Sequence, residues 1–177
     1  MKKVRSEYIF KQEMQHILAA LTAENRLACE ISLHTGLRLG DVLLLRRDQV
    51  AERFTVQEQK TGKRRVVHLP LELVDRCKNI AGPVYVFSGR LNGRKPRTRQ
   101  AVWKDLKRAA ALFRLQTKAN VSPHSCRKVW AVEQLHRDGD LKRVQKLMNH
   151  SSEAVTMLYA MADQMVARKN AKRTNVR

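Results

Sequence analysis

Apolar residues recur at helical spacing through the first third of the chain. In residues 11–22 (KQEMQHILAALT), Met14, Ile17, Leu18 and Leu21 fall on one face, which predicts an amphipathic helix. A second helix is predicted over about 24–34, with Gly36 as its C-cap, and a short one over roughly 39–46. The pattern then changes. FTVQEQ (54–59) and RRVVHL (64–69) are short β-rich runs flanking KTGK, which reads as a hairpin with Gly62 in the turn. Pro70 opens a short helix over 70–79, and VYVF (84–87) reads as a third strand. Residues 88–99 (SGRLNGRKPRTR) form a loop with five basic residues and no acid. Helices resume over 98–115, and Ser122-Pro123 supplies an N-cap and first-turn proline for one running to about Arg137. Gly139 breaks that helix, and a short one follows over 140–148. Ser151 or Ser152, with Glu153 in the first turn, opens a last helix carrying Tyr159. The sum is a mainly α domain with a small antiparallel β-sheet, an α+β fold.

Charge changes the picture most. The 177 residues include 36 Lys and Arg against 16 Asp and Glu, a net +20. A compact fold with that charge repels itself and calls for a counter-charged partner: nucleic acid, an acidic membrane or an acidic protein. The excess is rich in Arg and spread along the chain, which favours nucleic acid. Apolar residues make up 43% and aromatics 5%, so the core is built mainly from Leu, Val, Ile, Ala and Met. Cys29, Cys77 and Cys126 are odd in number and widely spaced, which argues against structural disulfides and fits a reducing cytosol. No apolar run follows Met1, so neither a signal peptide nor a membrane span is expected. The histidines lack metal-ligand spacing and no carboxylate cluster occurs, so no metal and no cofactor is expected.

Candidate chemistry is scattered along the chain. Arg38 follows the Gly36 cap in HTGLRLGD, where local backbone geometry aims its side chain. Lys60 lies in the hairpin turn, and Lys63, Arg64 and Arg65 beside it read as phosphate-steering or solvated charges. His124 and Arg127 share a face at a helix start, next to unpaired N–H groups and the positive end of the dipole, where anions bind. His150 precedes the Ser-capped helix, and Tyr159 shares a face with Val155 and Leu158. Taken singly, these residues read equally as a surface arginine, a turn lysine, a packing histidine and a half-buried core tyrosine.

Their order carries more than any one of them. TGLRLGD, EQKTGKRRVVHLP, SPHSCRKVWA and LMNHSSEAVTMLYA resemble, in sequence, the four boxes of the tyrosine recombinase catalytic domain of the lambda-integrase type. The resemblance runs from about residue 6 to 162. It implies a catalytic set of Arg38, Lys60, His124, Arg127, His150 and Tyr159, with Tyr159 nine residues after His150 as the family has it. Asp41 stands where the family often has Glu and is read as a residue orienting Arg38; Asn149 replaces the family's usual Gly. The expected organisation is a catalytic domain over 1–162 and a basic tail over 163–177, without the N-terminal core-binding domain of most members.

The chemistry so implied is metal- and ATP-independent strand cleavage and rejoining through a 3′-phosphotyrosine. Arginines suit phosphate because their planar forks pair with two oxygens and stay charged. Arg38 and Arg127 take that role, His150 donates a further bond, His124 is the base for Tyr159, and Lys60 protonates the 5′-oxygen. Arg90, Arg94, Lys95, Arg97 and Arg99 are expected on the DNA backbone. Double-stranded DNA is the implied partner, bound by a homo-tetramer, with a monomer in isolation, in a bacterial cell or phage-infected host. The tail reads equally as a segment exchanged between protomers or as a phosphate-binding arm. The rival functions are type IB topoisomerase-like nicking and closing, a DNA-binding regulator that kept the fold, and an RNA-binding basic protein. The ordered boxes argue against the last two.

Overall fold

The computed structural model describes residues 8–113 and 120–148 and divides into two units, residues 1–130 and 131–177. In the first unit the order is α1 (Lys11–Ala19), α2 (Ala23–Thr35), α3 (Leu39–Leu43), β1 (Arg53–Gln57), β2 (Arg64–His68), α4 (Leu71–Ile80) and α5 (Arg99–Leu112). Helix α6 (Pro123–Asp138) contains the boundary, and α7 (Leu141–Met148) lies in the second unit. Among the described residues the architecture is mainly helical with one antiparallel pair of strands. The last predicted helix, with Tyr159, and the tail over 163–177 lie outside the described residues.

Helix α2 is the centre of the first unit. It packs against α1, α3 and α4, while α5 lies against α1 and α3. Met14, Ile17 and Leu18 of α1, Leu27 and Ile31 of α2, and Val102 and Leu106 of α5 are buried, as the helical spacing of their apolar positions requires. Helix α1 ends at Ala19, short of the predicted Thr22, because Thr22 serves as N-cap of α2. That cap is completed from another helix. Asp105 of α5 accepts hydrogen bonds from the Thr22 N–H and hydroxyl, both 3.0 Å, and from Asn25 at 2.7 Å. Its other oxygen accepts from Arg108 Nη2 at 2.7 Å.

The hairpin holds the register Arg53 with His68 through Gln57 with Arg64. Phe54 and Val56 point inward between exposed neighbours. The third predicted strand does not form. Residues 84–87 meet the chain after α3 through an isolated Arg46–Tyr85 bridge, with Val86 N–H donating to Leu45 at 2.9 Å and Arg47 N–H to Val84 at 3.0 Å. This contact also stops α3 at Leu43, three residues before its predicted end, by drawing Leu45–Arg47 out of helix.

Among the described residues Gly36, Gly62 and Gly139 take left-handed backbone, and the first two do so for different reasons. Gly62 has φ 67° in the hairpin turn, and a Cβ there would meet nothing. Gly36 has φ 68°, and a Cβ there would collide with Cε3 of the Trp130 indole. Replacing Gly62 by Ala should therefore cost only the backbone strain, about 1 kcal/mol. Gly36→Ala adds overpacking against the indole and should cost roughly 2–4 kcal/mol, read by urea unfolding.

Burial raises the Asp105 pKa, but hydrogen bonds from Asn25, Arg108 and Thr22 outweigh it and bring it down to about 2. A carboxylate depressed in the folded state stabilises above its unfolded pKa of about 4 and loses that contribution as pH falls toward 2. Asp105→Asn should destabilise by about 1–2 kcal/mol at neutral pH after solvent screening. In acid unfolding, the gap from wild type should close between about pH 4 and pH 2.

Candidate active site

Arg38 is the N-cap of α3, just after the Gly36 turn, and its backbone is extended. Its Nη1 donates to Oε2 of Glu58 at 2.6 Å. The Glu58 side chain is fully buried, while that of Arg38 keeps 13% of its surface exposed. Glu58 continues the inward alternation of Phe54 and Val56 one step beyond β1, and its N–H and carbonyl close the hairpin mouth with Lys63 and Gly62. Its Oε2 also accepts from the Thr61 hydroxyl at 3.0 Å. Asp41, buried in α3, accepts from the Gln59 N–H at 2.9 Å. Two carboxylates thus tie the start of α3 to the turn that carries Lys60.

Arg127 comes from the first turns of α6. That helix starts where expected: Ser122 Oγ accepts from the His124 N–H at 3.3 Å, and Ser125 Oγ accepts from the Ser122 N–H at 3.2 Å. Arg127 is 2% exposed and donates from Nη1 to the Gly36 carbonyl at 2.5 Å. Arg65 of β2 donates to the Thr35 carbonyl and lies over the Trp130 ring, 5.2 Å from its centroid. The sequence reads Arg65 as a phosphate-steering or solvated charge; here it is half-buried, with its guanidinium donating to the carbonyl of Thr35, the last residue of α2.

The electrostatics show that these groups share one neighbourhood. Burial, joined by the charges of Arg38 and Arg65 and opposed by Glu58 and Asp41, brings the Arg127 pKa down to about 10. Arg65 is lowered by burial too, with Glu58 raising it and Arg38 lowering it. Burial raises Asp41, and Glu58 adds to the rise; the Gln59 N–H, Arg38 and Arg127 pull the other way. His124 reaches the surface, yet its pKa is lowered by the desolvation of its surroundings, then by Arg127, Lys128, Arg38 and Lys60.

The structure therefore brings Arg38, Lys60, His124, Arg127 and Asp41 together. His150 and Tyr159 lie outside the described residues. Lys63, Arg64, Arg90, Arg94, Lys95 and Arg99 are exposed, and Arg97 is half-buried in the loop before α5. Arg99, opening α5, approaches the cluster: a Cβ on Gly40 would lie 3.3 Å from its Cδ and 3.7 Å from Oε1 of Gln59. Sequence reasoning missed Glu58, Thr61 and Trp130. For Glu58 a signal existed, an acid in phase with the inward positions of a strand.

This fold and this cationic cluster define a protein of the tyrosine recombinase catalytic-domain class. The phage integrase family model matches residues 7–165, and the chain belongs to that family. It is 26% identical over 163 residues to the probable integrase/recombinase YoeC of Bacillus subtilis (strain 168), covering 89% of this chain and 88% of that protein. It is 29% identical over 155 residues to the tyrosine recombinase XerD of Mycobacterium tuberculosis (strain ATCC 25618 / H37Rv), covering 80% of this chain and 49% of XerD. The chain thus spans about half the length of that relative. Among solved structures, a lambda integrase (75-356) dimer bound to a COC′ core site superposes with TM-score 0.71 at 22% identity, covering 89% of this chain and 60% of that one. The lambda integrase catalytic core gives TM-score 0.69 at 24% identity, covering 84% of this chain and 93% of that one. These two likenesses are of fold.

His124 offers a direct check. With a pKa below the ordinary 6.5, its ring should be neutral at pH 7 and titrate below 6.5 in the DNA-free protein by side-chain NMR. Lys60→Gln removes one of the cations and should move the midpoint upward. A midpoint at or above 6.5 in wild type would contradict the cationic neighbourhood.

Proposed function

We propose that this chain is the catalytic domain of a site-specific DNA recombinase that cleaves and rejoins strands through a covalent bond from Tyr159 to a 3′-phosphate. The observation that carries this reading is the electrostatic convergence of Arg38, Lys60 and Arg127 on His124. A phosphodiester resists attack because its charge repels nucleophiles. Arg38 and Arg127 neutralise the charge growing on the non-bridging oxygens, the kind of contribution worth several kcal/mol to a transition state. His150 donates a further hydrogen bond there. Tyr159 Oη attacks phosphorus and gives its proton to His124, which its surroundings keep neutral and ready to accept it. The O5′ bond to phosphorus breaks, and Lys60 protonates the departing 5′-oxygen. Religation runs the same steps backward, so the bond energy is conserved and neither metal nor ATP is consumed.

The partner is double-stranded DNA. Solved relatives include a lambda integrase tetramer bound to a Holliday junction and XerH bound to a difH substrate. A tetramer on DNA is the corresponding assembly for this chain. Lys63, Arg64, Arg90, Arg94, Lys95, Arg97 and Arg99 hold the backbone outside the site, so binding falls steeply with salt. Arg65, beside them in the hairpin and bonded to the Thr35 carbonyl, is a further candidate for a backbone phosphate.

Incubation with supercoiled plasmid in EDTA, followed by denaturation, should leave protein covalently attached to DNA. Tyr159→Phe should give no adduct. Adducts that persist in Tyr159→Phe, or that EDTA abolishes, would overturn the mechanism.

A further inference from the structure

Glu58 is a fully buried carboxylate that the roles above do not use. It stands between two parts of the site. Through Oε2 it accepts from Arg38 at 2.6 Å, and through the same oxygen from the Thr61 hydroxyl at 3.0 Å. Thr61 adjoins Lys60 in the turn, and the Glu58 carbonyl accepts the Gly62 N–H at 2.8 Å, so Glu58 brackets that turn from both its backbone and its side chain. A hairpin turn is ordinarily a loosely held place for a general acid. Here one carboxylate fixes the phosphate-binding arginine and the turn that bears the acid. We propose that Glu58 is a positioning residue for strand cleavage, holding Arg38 and, through Thr61, Lys60 as one unit.

The inference rests on the recombinase reading, so its test separates the two. The substrate is a duplex carrying a cleavage site mapped from the plasmid adducts, made once with the ordinary 5′-oxygen and once with sulfur bridging at that position. A thiolate leaves without being protonated, so a defect confined to the Lys60 side disappears on sulfur. Thr61→Ala keeps the Arg38–Glu58 pair and cuts the link to the turn, together with the long 3.4 Å bond that the Thr61 hydroxyl accepts from the Lys63 N–H. It should cleave the oxygen substrate about tenfold more slowly and the sulfur substrate at the wild-type rate. Glu58→Gln loosens both sides; it should lose about a hundredfold on oxygen and recover only in part on sulfur. Lys60→Ala marks full recovery. Thr61→Ala cleaving both substrates at the wild-type rate, or losing the same factor on both, would overturn the role of Glu58 while Tyr159→Phe stays inert. Tyr159→Phe retaining adducts would overturn the recombinase reading itself. Thr61→Ala removes no buried charge, so the test does not depend on Glu58→Gln folding.

Discussion

Three guanidiniums, those of Arg38, Arg65 and Arg127, are held in one partly desolvated space, and like charges there repel. Two unit charges about 4 Å apart interact by about 4 kcal/mol at an effective dielectric near 20, so an unaided cluster of this kind would push itself apart. Glu58 and Asp41 are the buried counter-charges that permit it. Both oppose the lowering of Arg127, whose pKa nevertheless falls to about 10 and leaves it charged at neutral pH. Three guanidiniums against two carboxylates leave an excess of one positive charge, before Lys60 is added. A single phosphodiester carries the matching negative charge.

Much of the surrounding architecture serves this arrangement. Gly36 ends α2 in a left-handed turn whose carbonyl accepts from Arg127 and which leads into Arg38, the N-cap of α3. Trp130 packs on that glycine and carries Arg65 on its ring. The hairpin brings Glu58 inward and Lys60 to the turn, while Asp41 binds the turn backbone. Asp105 acts at a distance from the cluster. It caps α2 from α5 and so fixes the helix whose far end forms the Gly36 turn.

The helices were legible because their faces repeat at 3.6 residues and their ends carry recognisable signals, Gly36 and Gly139 as stops and Ser122 as a start. The hairpin was legible from alternation around Gly62. The third strand was misread because VYVF has strand-like residues but finds only a bent segment, Leu45–Arg47, to pair with. The gathered cations were legible only as an ordered set of boxes, since each one alone reads as an ordinary surface or core residue. Glu58 and the inward turn of Arg65 were missed for one reason: a charged residue in a hairpin reads as solvated until its tertiary partners, Arg38 and the Thr35 carbonyl, are known.

The central claim is that this cluster exists to receive one negatively charged phosphate. It is tested most directly by removing that charge from the DNA. Arg127→Ala and wild type would be compared on duplexes whose scissile phosphate is either native or a neutral methylphosphonate. If Arg127 neutralises phosphate charge, the variant should lose about a hundredfold or more on native DNA and far less on the methylphosphonate. An equal loss on both would show that Arg127 only supports the structure, and would contradict the account.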